Sequence, residues 1–322
     1  MEDYTLVVRK PCFGLPTACP SCLPVFFYLK FANLPFQLDY NLTYPDSDKI
    51  PYVELGEDYV AYNNEKSGVI ERLKEDGIAD LDSEFEGVSE WISMKAMVNS
   101  WLGDALKYEL WVGTDGAAAQ SIYSSNLPWP IGKVLFLKQV YNVKQQFGIT
   151  SDNADEIEHQ IYKRASMVFG ALSSRLADQM FLYENRPSSL DAVFLSQALI
   201  TLQALPETSI LRSKFLEHEN LVGYASRIKM ELIDAGTSSS VPNFHANPSS
   251  SAPRGGPSNW RSRPKTKPKR EKTKEEKDFK RRAKYFLAAQ LVSVVVFVTL
   301  MSQVDGLEDE LDYDAEGFDL DE

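Results

Sequence analysis

The chain has 322 residues, with 34 Lys and Arg against 46 Asp and Glu, a formal charge of -12, and 43% of it is hydrophobic. That apolar share fills an ordinary core, and the length excludes more than two domains once the low-complexity and terminal segments are set aside. Only Cys12, Cys19 and Cys22 supply thiols, which excludes a disulfide framework and fits a reducing compartment.

The opening Met1-Glu2-Asp3-Tyr4 lacks the basic and apolar regions of a signal peptide and the Arg-rich pattern of a transit peptide, so targeting is expected from the other end. Residues 1–80 predict the order β, α, β, β, β, α. Tyr4 to Arg9 reads as a strand, Cys22 to Asn33 as a helix with Val25, Phe26 and Leu29 on one face, and Phe36 to Leu42 as a second strand. Tyr52 to Leu55, a turn at Gly56-Glu57-Asp58, and Tyr59 to Tyr62 form a hairpin, and Asn64 to Lys74 is a closing helix. This is the order of a thioredoxin-like domain, and Ile50-Pro51 stands where that fold carries a cis-proline.

Residues 81–235 predict an all-helical second domain. Trp91, Met94, Val98, Trp101, Leu102 and Ala105 form one stripe, and Ile157, Ile161, Ala165, Val168, Leu172 and Leu176 form another, both expected in the core. Ser188 is an N-cap followed three residues later by Asp191, an acid that reaches back to it. The helix behind this cap is apolar nearly all round, which assigns it to the centre of its domain.

Residues 236–269 turn to Ser, Pro, Gly, Asn and Lys and predict a disordered linker, a tether with a root-mean-square span of roughly 30 to 35 Å. Residues 270–284 are a charged juxtamembrane segment with helical i, i+4 pairs such as Glu276 and Lys280. Its Lys280, Arg281, Arg282 and Lys284 form a basic flank suited to anionic headgroups, or a solvated approach that obeys the positive-inside rule. Residues 285–304 then read as one transmembrane helix, bounded by Tyr285 and Val304 and carried by Phe286, Leu291, Val295 and Phe297 among others. Twenty residues at the helical rise span about 30 Å, one hydrocarbon core. Residues 305–322 hold ten acids and no Lys or Arg, so the charge asymmetry puts the N-terminal part in the cytosol and the acidic tail across the membrane. An apolar signal this late in the chain implies post-translational, tail-anchored insertion.

A thioredoxin-like half followed by an all-helical half with a Ser-x-x-Asp cap resembles the glutathione transferase fold. Within that fold, Phe13-Gly14-Leu15-Pro16-Thr17, Tyr28-Leu29-Lys30-Phe31-Ala32, Leu127-Pro128-Trp129-Pro130 and Pro187-Ser188-Ser189-Leu190-Asp191-Ala192 resemble the corresponding stretches of metaxins, in order from about residue 4 to 230. The resemblance implies a protein of the mitochondrial outer membrane that works with the sorting and assembly machinery for β-barrel proteins. Its implied partners are the β-barrel insertase, other subunits, mitochondrial precursors and the lipid bilayer, with no nucleic acid, no cofactor and no catalysis. The anchor then becomes a mitochondrial address, with the acidic tail in the intermembrane space.

An enzyme is the competing class, a membrane-tethered glutathione-dependent or dithiol oxidoreductase using Cys19 and Cys22. A Cys-x-x-Cys at the first helix of a thioredoxin-like domain can act as a redox pair, its first thiol activated by the helix N-terminus. Glutathione enzymes of this fold hold the γ-glutamyl group with an acid and a Ser after the hairpin, where this chain has Tyr62-Asn63-Asn64. A zinc site lacks local ligands beyond Cys12, Cys19 and Cys22, because His159, His218 and His245 are dispersed. Finally, Glu71, Glu75, Asp76, Asp80, Asp82, Glu84, Glu86 and Glu90 cluster between the halves, either as a field for basic precursor segments or as an ordinary solvated loop.

Overall fold

Four short strands open the fold, and the most apolar of them takes an inner position. A computed structural model describes residues 4–41, 48–56, 59–65, 68–85, 87–128, 131–183, 185–234 and 290. The chain divides into two compact units, Met1–His245 and Ala246–Glu322, and every element below belongs to the first. The predicted anchor, its flank, the linker and the acidic tail lie outside the described residues, apart from Gln290. Among the described residues no helix is long and apolar enough to cross a membrane.

β1 (Tyr4–Val8) buries Leu6, Val7 and Val8 in succession, as a strand covered on both faces does. It pairs in parallel with β2 (Phe36–Tyr40) and antiparallel with β3 (Tyr52–Leu55), and β3 pairs with β4 (Tyr59–Tyr62) in the expected hairpin. The sheet order β2-β1-β3-β4 is thioredoxin-like, and the Ile50-Pro51 peptide before β3 is cis. β2 alternates half-buried Phe36, Leu38 and Tyr40 with exposed Gln37 and Asp39, the period of an edge strand.

α1 (Cys22–Phe31) stops two residues earlier than its periodicity suggests. Asn33 adopts a left-handed φ of 52°, and Leu34 N–H returns to Leu29 O at 3.1 Å, the closure that ends many helices. α2 (Gly68–Glu75) starts later than expected, because residues 63–65 form the turn out of β4.

The second half is helical from Ser89 onward. α3 (Ser89–Met97) runs through a wide π turn (Val98–Leu102) into α4 (Gly103–Tyr108) and a second π turn (Glu109–Gly113). The short α5 (Ala117–Ala119) and a third π turn (Gln120–Ser124) precede α6 (Ile131–Gln146). α7 (Ala154–Leu176) is followed by α8 (Ser189–Gln203), α9 (Ile210–Leu216) and α10 (Glu219–Lys229). Both predicted stripes enter the core except Trp101 and Ile157, which are half-buried, and one contiguous core joins the sheet half to the helical half.

α8 is buried on every side and packs against α1, so its first-turn N–H groups have no water to bond. Two carboxylates meet that need. The predicted capping box forms: Asp191 Oδ2 accepts from Ser188 N–H at 3.0 Å and from Ser188 Oγ at 2.8 Å. Its Oδ1 accepts from Leu182 N–H and from the Tyr224 hydroxyl, each at 2.9 Å. Asp82, from the segment between α2 and α3, accepts from Ser189 N–H at 2.8 Å and from the Ser189 hydroxyl. Lys74 of α2 pairs with Asp82, and Lys95 of α3 lies 3.5 Å from it and 2.8 Å from Glu71.

The two acids respond oppositely. Burial pushes the Asp82 carboxyl up, but the Lys74 ammonium and the Ser189 donors outweigh it and hold the group below the usual range. At Asp191 burial wins over the bonds from Leu182, Ser188 and Tyr224, and the group lies above the usual range. Stability from Asp82 is therefore present above the unfolded carboxylate value, about pH 4, and is lost as pH falls through the lowered folded value. Asp191 has the opposite sign, and its contribution is lost as pH rises through its raised value. Lys74→Met is expected to destabilise the protein at neutral pH by about 3 kcal/mol, the low end for orphaning a buried charge because Lys95 remains nearby. Denaturant unfolding measures this. In the same assay, the acid-side loss of stability is expected to become shallower in Asp82→Asn than in the unaltered protein.

Candidate functional site

A cleft of about 960 Å³ opens between the sheet half and the helical half. Pro20, Ser21, Ile50 and Asn63 line it from the first half, and Trp111, Tyr123, Phe136 and Gln197 from the second. α6 supplies much of one wall through Leu135, Phe136, Gln139 and Asn142.

Arg9 follows β1 and is buried beneath this cleft, with its guanidinium 4.8 Å from the Tyr123 ring centroid. Next to it, Cys19 Sγ lies 3.2 Å from Ser21 Oγ and 3.9 Å from the Tyr123 hydroxyl. Cys22 opens α1, its N–H returning to Cys19 O at 3.1 Å. Burial pushes the Cys19 thiol up, yet its hydrogen bond with Cys22, the Arg9 charge and Ser21 together hold it well below the ordinary thiol value. Burial and the bond to Cys19 drive Cys22 well above it. The predicted pair is thus brought together with an anion-stabilising partner.

Access is the missing requirement. Exchange needs a disulfide to approach the attacking sulfur directly, and Cys19 and Cys22 are both 0% exposed while Cys12 is partly exposed. All three are free thiols. Asn63 and Asn64 line the cleft, and Asn63 donates to Asp48 O at 3.4 Å. Among the described residues no group of three or more His, Cys, Asp or Glu side chains gathers in metal-holding geometry.

Ser188 and Asp191 are fully enclosed by the fold and serve the helix cap. The predicted anchor residues Tyr285, Phe286, Leu291, Val295, Phe297 and Val304, and the flank Lys280, Arg281, Arg282 and Lys284, lie outside the described residues.

The acidic cluster matches neither the open field nor the solvated loop that the sequence allowed, because much of it is paired. Glu71 pairs with Lys74 and Lys95, Asp76 with Arg72, Asp82 with Lys74, Glu84 with Arg186 at 2.8 Å, and Glu90 with Arg175 at 3.6 Å. Asp80 accepts the Asp82 N–H. Internal cations cancel most of the charge that a basic partner would sense, leaving these acids as fasteners between segments. Sequence reasoning missed Arg9, Tyr123 and this pairing. Arg9 alone left a local signal, a charge directly after the buried Leu6-Val7-Val8.

The model of the glutathione S-transferase N-terminal domain matches residues 20–116, and that of the glutathione S-transferase C-terminal domain matches residues 165–228. Among solved structures, the chain is 12% identical to glutathione transferase GSTFuA3 of Phanerochaete chrysosporium, with a TM-score of 0.48 over 70% of this chain and 96% of that one. It is 11% identical to CsGST63524 of Ceriporiopsis subvermispora, solved in complex with glutathione, with a TM-score of 0.49 over 75% and 99%. Among curated proteins, human metaxin-2 is 26% identical over 66% of this chain and 82% of its own length. Mouse metaxin-1 is 24% identical over 67% and 71%. The mitochondrial outer membrane import complex protein METAXIN of Arabidopsis thaliana is 56% identical over 313 residues, 97% of this chain and 96% of that protein. The two matched domains and this near full-length identity lead to one conclusion: the chain belongs to the metaxin family.

Proposed function

We propose that this protein is a non-enzymatic subunit or receptor of the mitochondrial outer-membrane import apparatus, acting with the machinery that inserts β-barrel proteins. The observation that carries this reading is the 56% identity to the Arabidopsis import complex protein over 97% of the chain. A match of that extent spans the positions of Tyr285–Val304 wherever it begins. In this reading the run anchors the protein, Lys280, Arg281, Arg282 and Lys284 keep the folded unit in the cytosol, and residues 305–322 face the intermembrane space. The partners are a β-barrel insertase, other subunits of the same machinery and mitochondrial precursors.

The buried thiols support the non-enzymatic part. Each catalytic alternative requires a sulfur or a glutathione pocket at the cleft, whereas Cys19 and Cys22 sit below its surface.

Two experiments test the proposal. Purification from gently solubilised outer membranes is expected to recover the protein with a β-barrel insertase, and recovery of the protein alone contradicts the reading. Deletion of the residues after Arg282 is expected to release the folded unit to the cytosol. A third measurement addresses the oxidoreductase. In the native protein a thiol-alkylating reagent is expected to label Cys12 at least tenfold faster than Cys19 or Cys22. A Cys19→Ser, Cys22→Ser variant that is folded and correctly located is expected to retain β-barrel assembly, and failure of assembly there overturns the scaffold reading.

A further inference from the structure

α6 has two apolar faces, and the fold uses one. Gly132, Phe136 and Val143 point inward and are buried. Phe136 packs against Trp111 with ring centroids 5.7 Å apart, and it fits because Gly116, at a positive φ of 71°, leaves the space a Cβ would fill. At about 100° per residue, Leu137, Tyr141 and Ile131 centre on the opposite side of the helix. They are 54%, 62% and 49% exposed, and no other described helix carries as many exposed large apolar side chains.

The polar residues of this outer face share one sign. α6 contains Lys133, Lys138 and Lys144 and no Asp or Glu. Lys133 and Lys144 border the Leu137 side of the apolar strip, while Lys138 lies next to Ile131 and also lines the cleft. Lys107 of α4 donates to Gln146 in the last turn and lines the cleft with Asp104. An apolar strip between lysines, with no acid on the helix, fits an interface where apolar groups enter the acyl boundary and ammonium groups meet phosphates.

We infer that the outer face of α6 docks the folded unit onto the anionic headgroup surface of the bilayer that holds the protein. Charge complementarity selects this occupant. A protein partner with a mixed surface gains little from a helix whose charged residues are all basic, whereas an anionic leaflet offers phosphates to the exposed Lys133 and Lys144 together. The inference rests on the membrane-tethered reading above. The 50 residues between Asp234 and Tyr285 impose no obstacle, since their fully extended length is roughly 170 Å.

The test uses the full chain with two kinds of vesicle, phosphatidylcholine alone and phosphatidylcholine with about one third phosphatidylglycerol. Amide hydrogen exchange over residues 131–146 is expected to be at least fivefold slower with the anionic vesicles than with the neutral ones. High salt is expected to remove most of that difference. Leu137→Asp with Tyr141→Asp, and separately Lys133→Glu with Lys144→Glu, are expected to abolish it. Met167→Asp, at an exposed position on α7, is expected to leave it intact. Equal exchange with both vesicles overturns the inference, and so does equal protection by both, which would assign the face to a non-electrostatic contact such as a second copy. Flotation with neutral vesicles reports the anchor separately. Loss of flotation with α6 still protected by anionic lipid refutes the anchor and supports the docking face, and flotation without protection does the reverse.

Discussion

The fold depends on satisfying the N-terminus of α8. A helix apolar on every side gains its stability from burial, and burial removes water from its first-turn N–H groups. Asp191 supplies an acceptor from within the helix and Asp82 supplies another from the segment between the two halves. The helix dipole favours negative charge there, so both carboxylates sit where the backbone already calls for them. Because Asp82 also binds Lys74 and Lys95, one cap joins α2, α3 and α8. The halves therefore form one core, and the cleft between them has walls fixed by packing.

That rigidity shapes the functional reading. The groups with chemical potential beside the cleft are used internally. Cys19, Cys22 and Arg9 are buried beside the half-buried Tyr123, and Glu71, Asp76, Asp82, Glu84 and Glu90 are paired with Lys and Arg of the same unit. What remains for partners is outer surface, and α6 offers the most distinctive part of it.

The sequence carried the local features well. The hairpin Tyr52–Tyr62, the Ser188 and Asp191 cap and the apolar stripe along α7 follow from short-range patterns, and the cis Ile50-Pro51 peptide follows from the thioredoxin-like element order. Long-range partners were not legible. Nothing near Asp82 indicates that it caps a helix 107 positions away, and nothing near Glu84 announces Arg186. The π turns were also hidden, since a wide turn at Val98–Leu102 shifts the helix face without changing composition, and Trp101 comes out half-buried as a result. Arg9 was visible as a charge but not as a partner of Tyr123, because the cleft floor is assembled from both halves.

If the cap at α8 binds the two halves into one body, they must unfold together. Native-state hydrogen exchange in rising denaturant measures this directly, with the amides of β1 and β3 reporting one half and those of α7 the other. The account predicts that both sets merge into a single opening with the same free energy and the same denaturant dependence, and that Asp82→Ala separates them. Two distinct openings in the unaltered protein would contradict it.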